Sequence, residues 1–234
     1  MTSVYTAVAS STLAHMEAVL SILNIKRREG DSPPQFAWGT KGYETRQTHL
    51  NNFMSSTHDY ILFLDNDMVY HPDTLEHLRA HNAPYLSGFY LRRRRAPLVP
   101  VWFEPYDGRW PLSPFLRVPE SGQLYELGAS GWGCILLHRD VVEAIRPLLN
   151  GNWEIAELTI PELNGYKEPI GSDLRFPFYA ARAGYPLYGD PDVAPAHILD
   201  YPISRFDYES QPEPIRQGWH DKLSREVEAA RGWA

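Results

Sequence analysis

Cysteine is nearly absent from this chain. Cys134 stands alone among 234 residues, so no intrachain disulfide can form, and a reducing, cytoplasmic compartment is the expectation. No stretch approaches the roughly 18 consecutive apolar residues of a membrane span. The start, Met1-Thr2-Ser3-Val4-Tyr5, lacks a basic segment followed by an apolar one, so no secretory leader is expected. Positive charge is also scarce. Twenty-two Lys and Arg against 29 Asp and Glu leave a formal net charge of −7, which argues against a general nucleic-acid coat, since that needs a basic face. The turn after the first apolar segment, Ala9-Ser10-Ser11-Thr12, has neither glycine nor a nearby lysine. The phosphate-gripping loop of many nucleotidyltransferases is thus missing. Internal repeats and low-complexity segments are missing too.

What is present is a globular composition, 43% hydrophobic and 13% aromatic, in a length that suits one domain with a sizeable core. Val4 to Ala9 reads as a strand. Thr12 to Ile25 reads as a helix with Leu13, Met16, Leu20 and Leu23 on one face. Gln35 to Trp38 reads as a strand, Tyr43 to Ser55 as a helix, and Tyr60 to Leu64 as a continuously apolar strand. A helix is expected over Pro72–Ala80, with Asp73 as its cap. Strand and helix in alternation predict a parallel sheet with crossover helices. Beyond residue 82 the character changes. Tyr85 to Leu91 and Leu98 to Phe103 read as strands flanking Arg92 to Arg95, and proline and glycine dominate from Pro105 to Gly122. Leu124–Leu127 and Cys134–Leu137 read as strands, Asp140–Leu149 as a helix, Asn150–Pro169 as loops, and Ser172–Ala183 as a helix despite Pro177. Ala194–Leu199 reads as extended, and Ile215–Arg231 as an amphipathic helix with Trp219, Leu223 and Val227 at four-residue spacing. The expectation is a nucleotide-binding half over 1–82, a second-substrate half over 83–200 and a helical tail over 201–234.

The chemistry concentrates at Asp65-Asn66-Asp67, where the apolar run Tyr60–Leu64 stops at two carboxylates. Such a triplet can simply be a turn, because Asp and Asn bond their own backbone. Yet the next helix already has its own start signal, so these acids are not needed as caps. At the end of a parallel strand they stand where ligands of open α/β sheets bind. As hard oxygen ligands they suit Mg²⁺ or Mn²⁺.

With this pair come three later segments. They are Gly128-Ala129-Ser130-Gly131-Trp132-Gly133-Cys134-Ile135-Leu136-Leu137-His138-Arg139, Gly171-Ser172-Asp173-Leu174-Arg175-Phe176 and Val193-Ala194-Pro195-Ala196-His197. In that order the four resemble the GT-A glycosyltransferases, family-2-like enzymes with an Asp-x-Asp motif. The resemblance spans about residues 4 to 198, and its point of departure is the Ala7–Ser11 turn. It implies a Rossmann-like α/β fold with a mixed, mostly parallel central sheet flanked by helices. It implies sugar transfer from a nucleotide-diphosphate-sugar, a UDP-sugar by resemblance, to a hydroxyl of a glycan, small molecule, protein or modified DNA base. Asp67 would be a direct metal ligand, Asp65 would serve the ribose or the metal, and His197 would complete the site, its nitrogen favouring Mn²⁺ over Mg²⁺. A core histidine is the alternative for His197. Asp173 would be the general base; a helix cap is its alternative. Gly131 and Gly133 would let backbone approach a sugar, with Trp132 as an apolar platform or, alternatively, a core residue. Arg46 would pair with the diphosphate or lie on a solvated helix face. The Arg92–Arg95 run reads as a solvated loop or as a reach toward an anion. Tyr106, Trp110 and Phe115 read as a lid. Glu126 reads as an acceptor contact or a solvated acid. A nucleotidyltransferase, a nucleotide-sugar hydrolase or a non-catalytic nucleotide- or glycan-binding module are the competing readings, and a short chain without an anchor suits a bacterial or viral enzyme.

Overall fold

The structure is a computed structural model and describes residues 2–10, 14–39, 42–93, 98–149, 170–199 and 202–231. Its centre is one seven-stranded mixed sheet. The first half contributes β1 (Val4–Ser10), α1 (Met16–Leu23), β2 (Gln35–Trp38), α2 (Gly42–Met54), β3 (Tyr60–Asp65), β4 (Met68–Val69) and α3 (Thr74–Ala80). The second half contributes β5 (Tyr85–Gly88), β6 (Trp102–Phe103), β7 (Tyr125–Leu127), β8 (Ala129–Ser130), β9 (Cys134–His138), α4 (Arg139–Ile145), α5 (Ser172–Arg182), β10 (Leu187–Asp190), β11 (Ala196–Ile198), β12 (Pro202–Ile203), α6 (Arg205–Glu209) and α7 (Glu213–Arg231). The order across the sheet is β2-β1-β3-β9-β5-β10-β7. β2, β1 and β3 are parallel, while β9 runs against both β3 and β5. β10 is parallel to β5, and β7 closes the edge antiparallel to β10. Since β9 is inserted between β3 and β5, the two halves share one core and form a single domain.

Burial on both faces explains the unbroken apolar run of β3: Ile61, Leu62, Phe63 and Leu64 are each 0% exposed, each stabilising the fold by about 1.5–3 kcal/mol. Cys134 opposes Leu64 on β9. Its thiol is buried, and burial pushes its pKa up to about 12. Thiol reagents at pH 8 are therefore expected to leave Cys134 unmodified in the native protein and to label it on unfolding; fast labelling without denaturant would contradict this burial.

The face expected to bury on α1 is instead outside. Met16, Leu20 and Leu23 are exposed, whereas Ala18 and Ile22 are buried; Leu13 lies outside the described residues. The small Ala18 permits close approach, and the Ser21 hydroxyl accepts the Tyr70 N–H at 3.1 Å, so a polar anchor chose between two apolar stripes. Asp73 stands at the N-cap of α3 but makes no side-chain cap bond. It pairs with Lys26 at 2.6 Å instead.

β10 lies in a segment read as having no strand. It is short and carries Gly189, where a Cβ would stand 2.6 Å from Cζ2 of Trp102. The expected lid is core: Phe115 is fully buried edge-on to Trp102, and Trp110 is buried against Phe178. Only Tyr106 is substantially exposed. Leu223 and Val227 of α7 are partly buried, the Trp219 side chain is outside the described residues, and so is 150–169, the expected loop region. No helix among the described residues is long and apolar enough to cross a membrane.

Candidate metal centre

β3 ends at Asp65, beside Ala9 of β1. β2 lies on the other side of β1, so the chain's winding reverses direction between β1 and β3. This is the topological switch point at which open α/β sheets form a ligand crevice. The turn that follows carries Asp67, and β4 then pairs antiparallel with β11, setting His197 opposite Met68. The Ile198 N–H donates to the Asp67 carbonyl at 2.8 Å and locks this corner. One ligand atom from each of Asp65, Asp67 and His197 lies within 4.8 Å of the others. Residues 130 positions apart thus converge as the sequence reading expected.

Two carboxylates and an imidazole form a suitable donor set for Mn²⁺ or Mg²⁺. His197 is also oriented for the task. Its Nδ1 donates to the Leu91 carbonyl at 2.5 Å, which leaves Nε2 facing Asp67 Oδ1 at 3.5 Å. A backbone carbonyl on the far nitrogen is the usual device that fixes the tautomer of a metal-binding histidine. His197 is buried, but as a member of this cluster rather than as a mere core residue. Burial opposes charging of His197, yet the hydrogen bond to Asp67, the Leu91 carbonyl and the two carboxylates together raise its pKa. Burial would likewise raise Asp67; the His197 contact and the charges of His197 and Arg93 outweigh it and hold Asp67 below the ordinary carboxylate range. Asp65 is shifted upward, by burial first, with Arg46 opposing and Asp67 reinforcing.

Arg46 does not lie on a solvated face. Its Nη2 is 3.7 Å from Asp65 Oδ1 and its guanidinium carbon is 5.8 Å from the Trp132 ring centroid. Its buried Nε has no hydrogen-bond partner, and neither do Ser10 Oγ and Trp132 Nε1. Trp132 is not an open platform for a sugar. It is 2% exposed and wedged between Phe63 and Phe176, both at 4.9 Å. The flanking glycines admit protein atoms rather than a ligand. A Cβ on Gly131 would stand 2.4 Å from the Tyr90 hydroxyl, and one on Gly133 would meet Met68 Sδ at 2.6 Å and Asp65 Oδ2 at 3.0 Å.

Two residues at the site carried no signal in the sequence, and a third stood out only as one of the Arg92–Arg95 run. The Tyr90 hydroxyl accepts the Gly133 N–H at 2.7 Å. The Tyr70 hydroxyl donates to the Gly133 carbonyl at 2.5 Å and accepts the Asp65 N–H at 2.8 Å. Burial, then the charge of Asp65, pushes both phenols well above their ordinary range, so both stay protonated; Tyr70 ties the end of β3 to Gly133, and Tyr90 holds Gly133 through its N–H. The third is Arg93, whose Nη1 donates to Asp67 Oδ2 at 2.7 Å. Arg92 lies 5.7 Å from the Phe103 ring; Arg94 and Arg95 are outside the described residues.

Asp173 lies outside the three-ligand cluster, in the first turn of α5, where Gly171 holds the N-cap position. It is therefore not the cap. Its helix docks through Phe176 against Trp132 and Tyr85, and its charge adds to burial in raising the Tyr85 phenol. Glu126 is exposed on the edge strand β7, away from the acidic pair.

No protein-family model matches the chain. No curated protein matches it either. Among solved structures, the crystal structure of A197 from STIV, a viral protein, is similar at a TM-score of 0.55 and 15% identity, covering 88% of this chain and 92% of that one. At that identity the likeness shows the fold alone: an α/β architecture shared over nearly the whole of both chains.

Proposed function

We propose that this protein is a metal-dependent glycosyltransferase of GT-A type that takes a sugar from a nucleoside-diphosphate-sugar, a UDP-sugar by resemblance, to an acceptor hydroxyl. The observation that carries the reading is the convergence of Asp65, Asp67 and His197 at the switch point of the sheet. Asp67 and His197 would hold Mn²⁺ or Mg²⁺ directly, with Asp65 sharing the ion or meeting the ribose. A divalent ion held there supplies Lewis-acid neutralisation of the charge that develops on the leaving diphosphate. Arg46 supports the reading because a fixed guanidinium beside the acids meets phosphate oxygens in a fork geometry. Tyr70 keeps Asp65 in register and Tyr90 holds the adjoining Gly133, both while remaining neutral. Trp132 contributes by holding Arg46 and α5, not by stacking on a sugar.

Asp173 is the proposed general base toward the acceptor. Asp173→Asn is expected to leave Mn²⁺-dependent UDP binding unchanged and to slow transfer by roughly 10²-fold, the scale of base loss; full transfer by the variant would remove it from the mechanism. The whole reading is tested by thermal unfolding with a panel of nucleoside diphosphates, each with and without Mn²⁺. One diphosphate that raises the midpoint only together with the metal is the expected result; a flat panel would refute it. A second reading, a nucleotide-binding module without turnover, draws on the ion pairs that Arg46 and Arg93 already make with both acids. Donor turnover in Mn²⁺ separates the two.

A further inference from the structure

The arginine run is the feature that the function above leaves unassigned, and Arg93 places it at the site. The segment is anchored on both sides. The Arg92 N–H donates to the Val99 carbonyl at 2.9 Å, and the Leu91 carbonyl two residues before Arg93 is the acceptor that orients His197. From this base Arg93 reaches Asp67 Oδ2 at 2.7 Å, although its own side chain is 53% exposed. Arg46 pairs with Asp65 at 3.7 Å and is only 19% exposed. The two arginines differ in kind: one is largely buried against Trp132, the other is a solvent-facing pair of the weakly held sort.

Asp67 cannot give the same carboxylate in full to Arg93 and to a divalent cation. A cation held by Asp67 and His197 would draw on the charge of the carboxylate whose other oxygen Arg93 holds, and would repel the guanidinium, so the Arg93 pair weakens. A guanidinium displaced beside a metal-held diphosphate has phosphate oxygens as its next acceptors, and its planar fork matches them. We propose that Arg93 is a phosphate-binding residue of this site, parked on Asp67 when no anion is bound and transferred to the diphosphate when one is. The inference rests on the diphosphate reading above and adds an exchange that couples metal and anion. Its signature is a pair of effects of opposite sign, because removing Arg93 frees Asp67 for metal but removes a contact from the anion. A merely structural arginine would weaken both ligands when removed, and a spectator would change neither.

The test is calorimetric titration of the full chain and of Arg93→Gln, first with Mn²⁺ alone and then with inorganic pyrophosphate at saturating Mn²⁺. Arg93→Gln is expected to bind Mn²⁺ about two- to fivefold more tightly, the scale of a lost exposed ion pair. It is expected to bind pyrophosphate about 10-fold or more weakly, the scale of a lost charge-assisted hydrogen bond. Affinities that fall together, or that both stay unchanged while Asp67→Ala abolishes Mn²⁺ binding, would overturn the exchange and leave the metal site standing. Mn²⁺ binding absent from the native chain, or indifferent to Asp67→Ala, would overturn the metal-dependent reading itself and the exchange with it.

Discussion

Asp67→Ala is expected to cut Mn²⁺ affinity by more than the roughly 100-fold that loss of even an outer-shell partner can cost, and to abolish the Mn²⁺-dependent thermal shift with a nucleoside diphosphate. The reason lies in how many functions meet on this carboxylate. It faces His197 Nε2 at 3.5 Å through one oxygen and Arg93 at 2.7 Å through the other. Without it, Asp65 and His197 remain as two ligands on different elements, and Arg93 loses its partner. The fold should survive, because the turn is held by backbone: the Asp67 carbonyl still accepts from Ile198, and Met68 is still buried. The variant should therefore unfold near the native midpoint without ligands and fail to respond to the metal and diphosphate pair. A full ligand-dependent shift in Asp67→Ala would remove Asp67 from the metal site.

Arg139→Met is expected to cost about 3 kcal/mol, because several partly buried carbonyls lose a charged donor at once. Arg139 begins α4, yet its guanidinium serves the far end of α2. It donates to the carbonyls of Phe53 at 2.9 Å, Ser56 at 2.9 Å and His58 at 2.7 Å, and lies 4.5 Å from the Phe53 ring centroid. A cation at a helix C-terminus satisfies orphan carbonyls and meets the negative end of the helix dipole. The loss would be a large share of a typical stability of roughly 5–15 kcal/mol. Arg139→Lys should recover only part of it, since an ammonium has no counterpart to the Nε bond to the His58 carbonyl at 2.9 Å or to the planar group over the Phe53 ring. Urea unfolding of the three forms decides the matter; a midpoint for Arg139→Met within error of the native one would refute it. The effect bears on the site because α2 carries Arg46 toward Asp65.

Some of this was legible in the chain because local chemistry was sufficient. β3 is buried on both faces, so its residues had to be apolar without alternation, and the change to Asp65-Asn66-Asp67 marks where the sheet edge meets water. Crossovers between parallel strands need helices, so α2 and α3 followed from strand spacing. Cys134 on an apolar strand was bound to be inert once that strand was central.

Other features depended on partners distant in sequence. α1 carries two apolar stripes, and only the docking of Ser21 onto the Tyr70 backbone decided which one faces inward. Trp132 and its glycines have the composition of a sugar-binding turn, but Phe63 and Phe176 close over the ring, and Tyr90 and Asp65 fill the space that the glycines leave. Tyr70 and Tyr90 became clamps only when β9 was inserted between β3 and β5. Arg93 was one of four equivalent arginines until the backbone bond from Arg92 to Val99 fixed its segment beside Asp67. The sequence by itself determined the apolar strands, the crossover helices and which side chains can hold a cation. The tertiary structure alone decided which of those side chains meet, because β4 and β11 pair through backbone hydrogen bonds that any residue can make, and that pairing brings His197 to the acids.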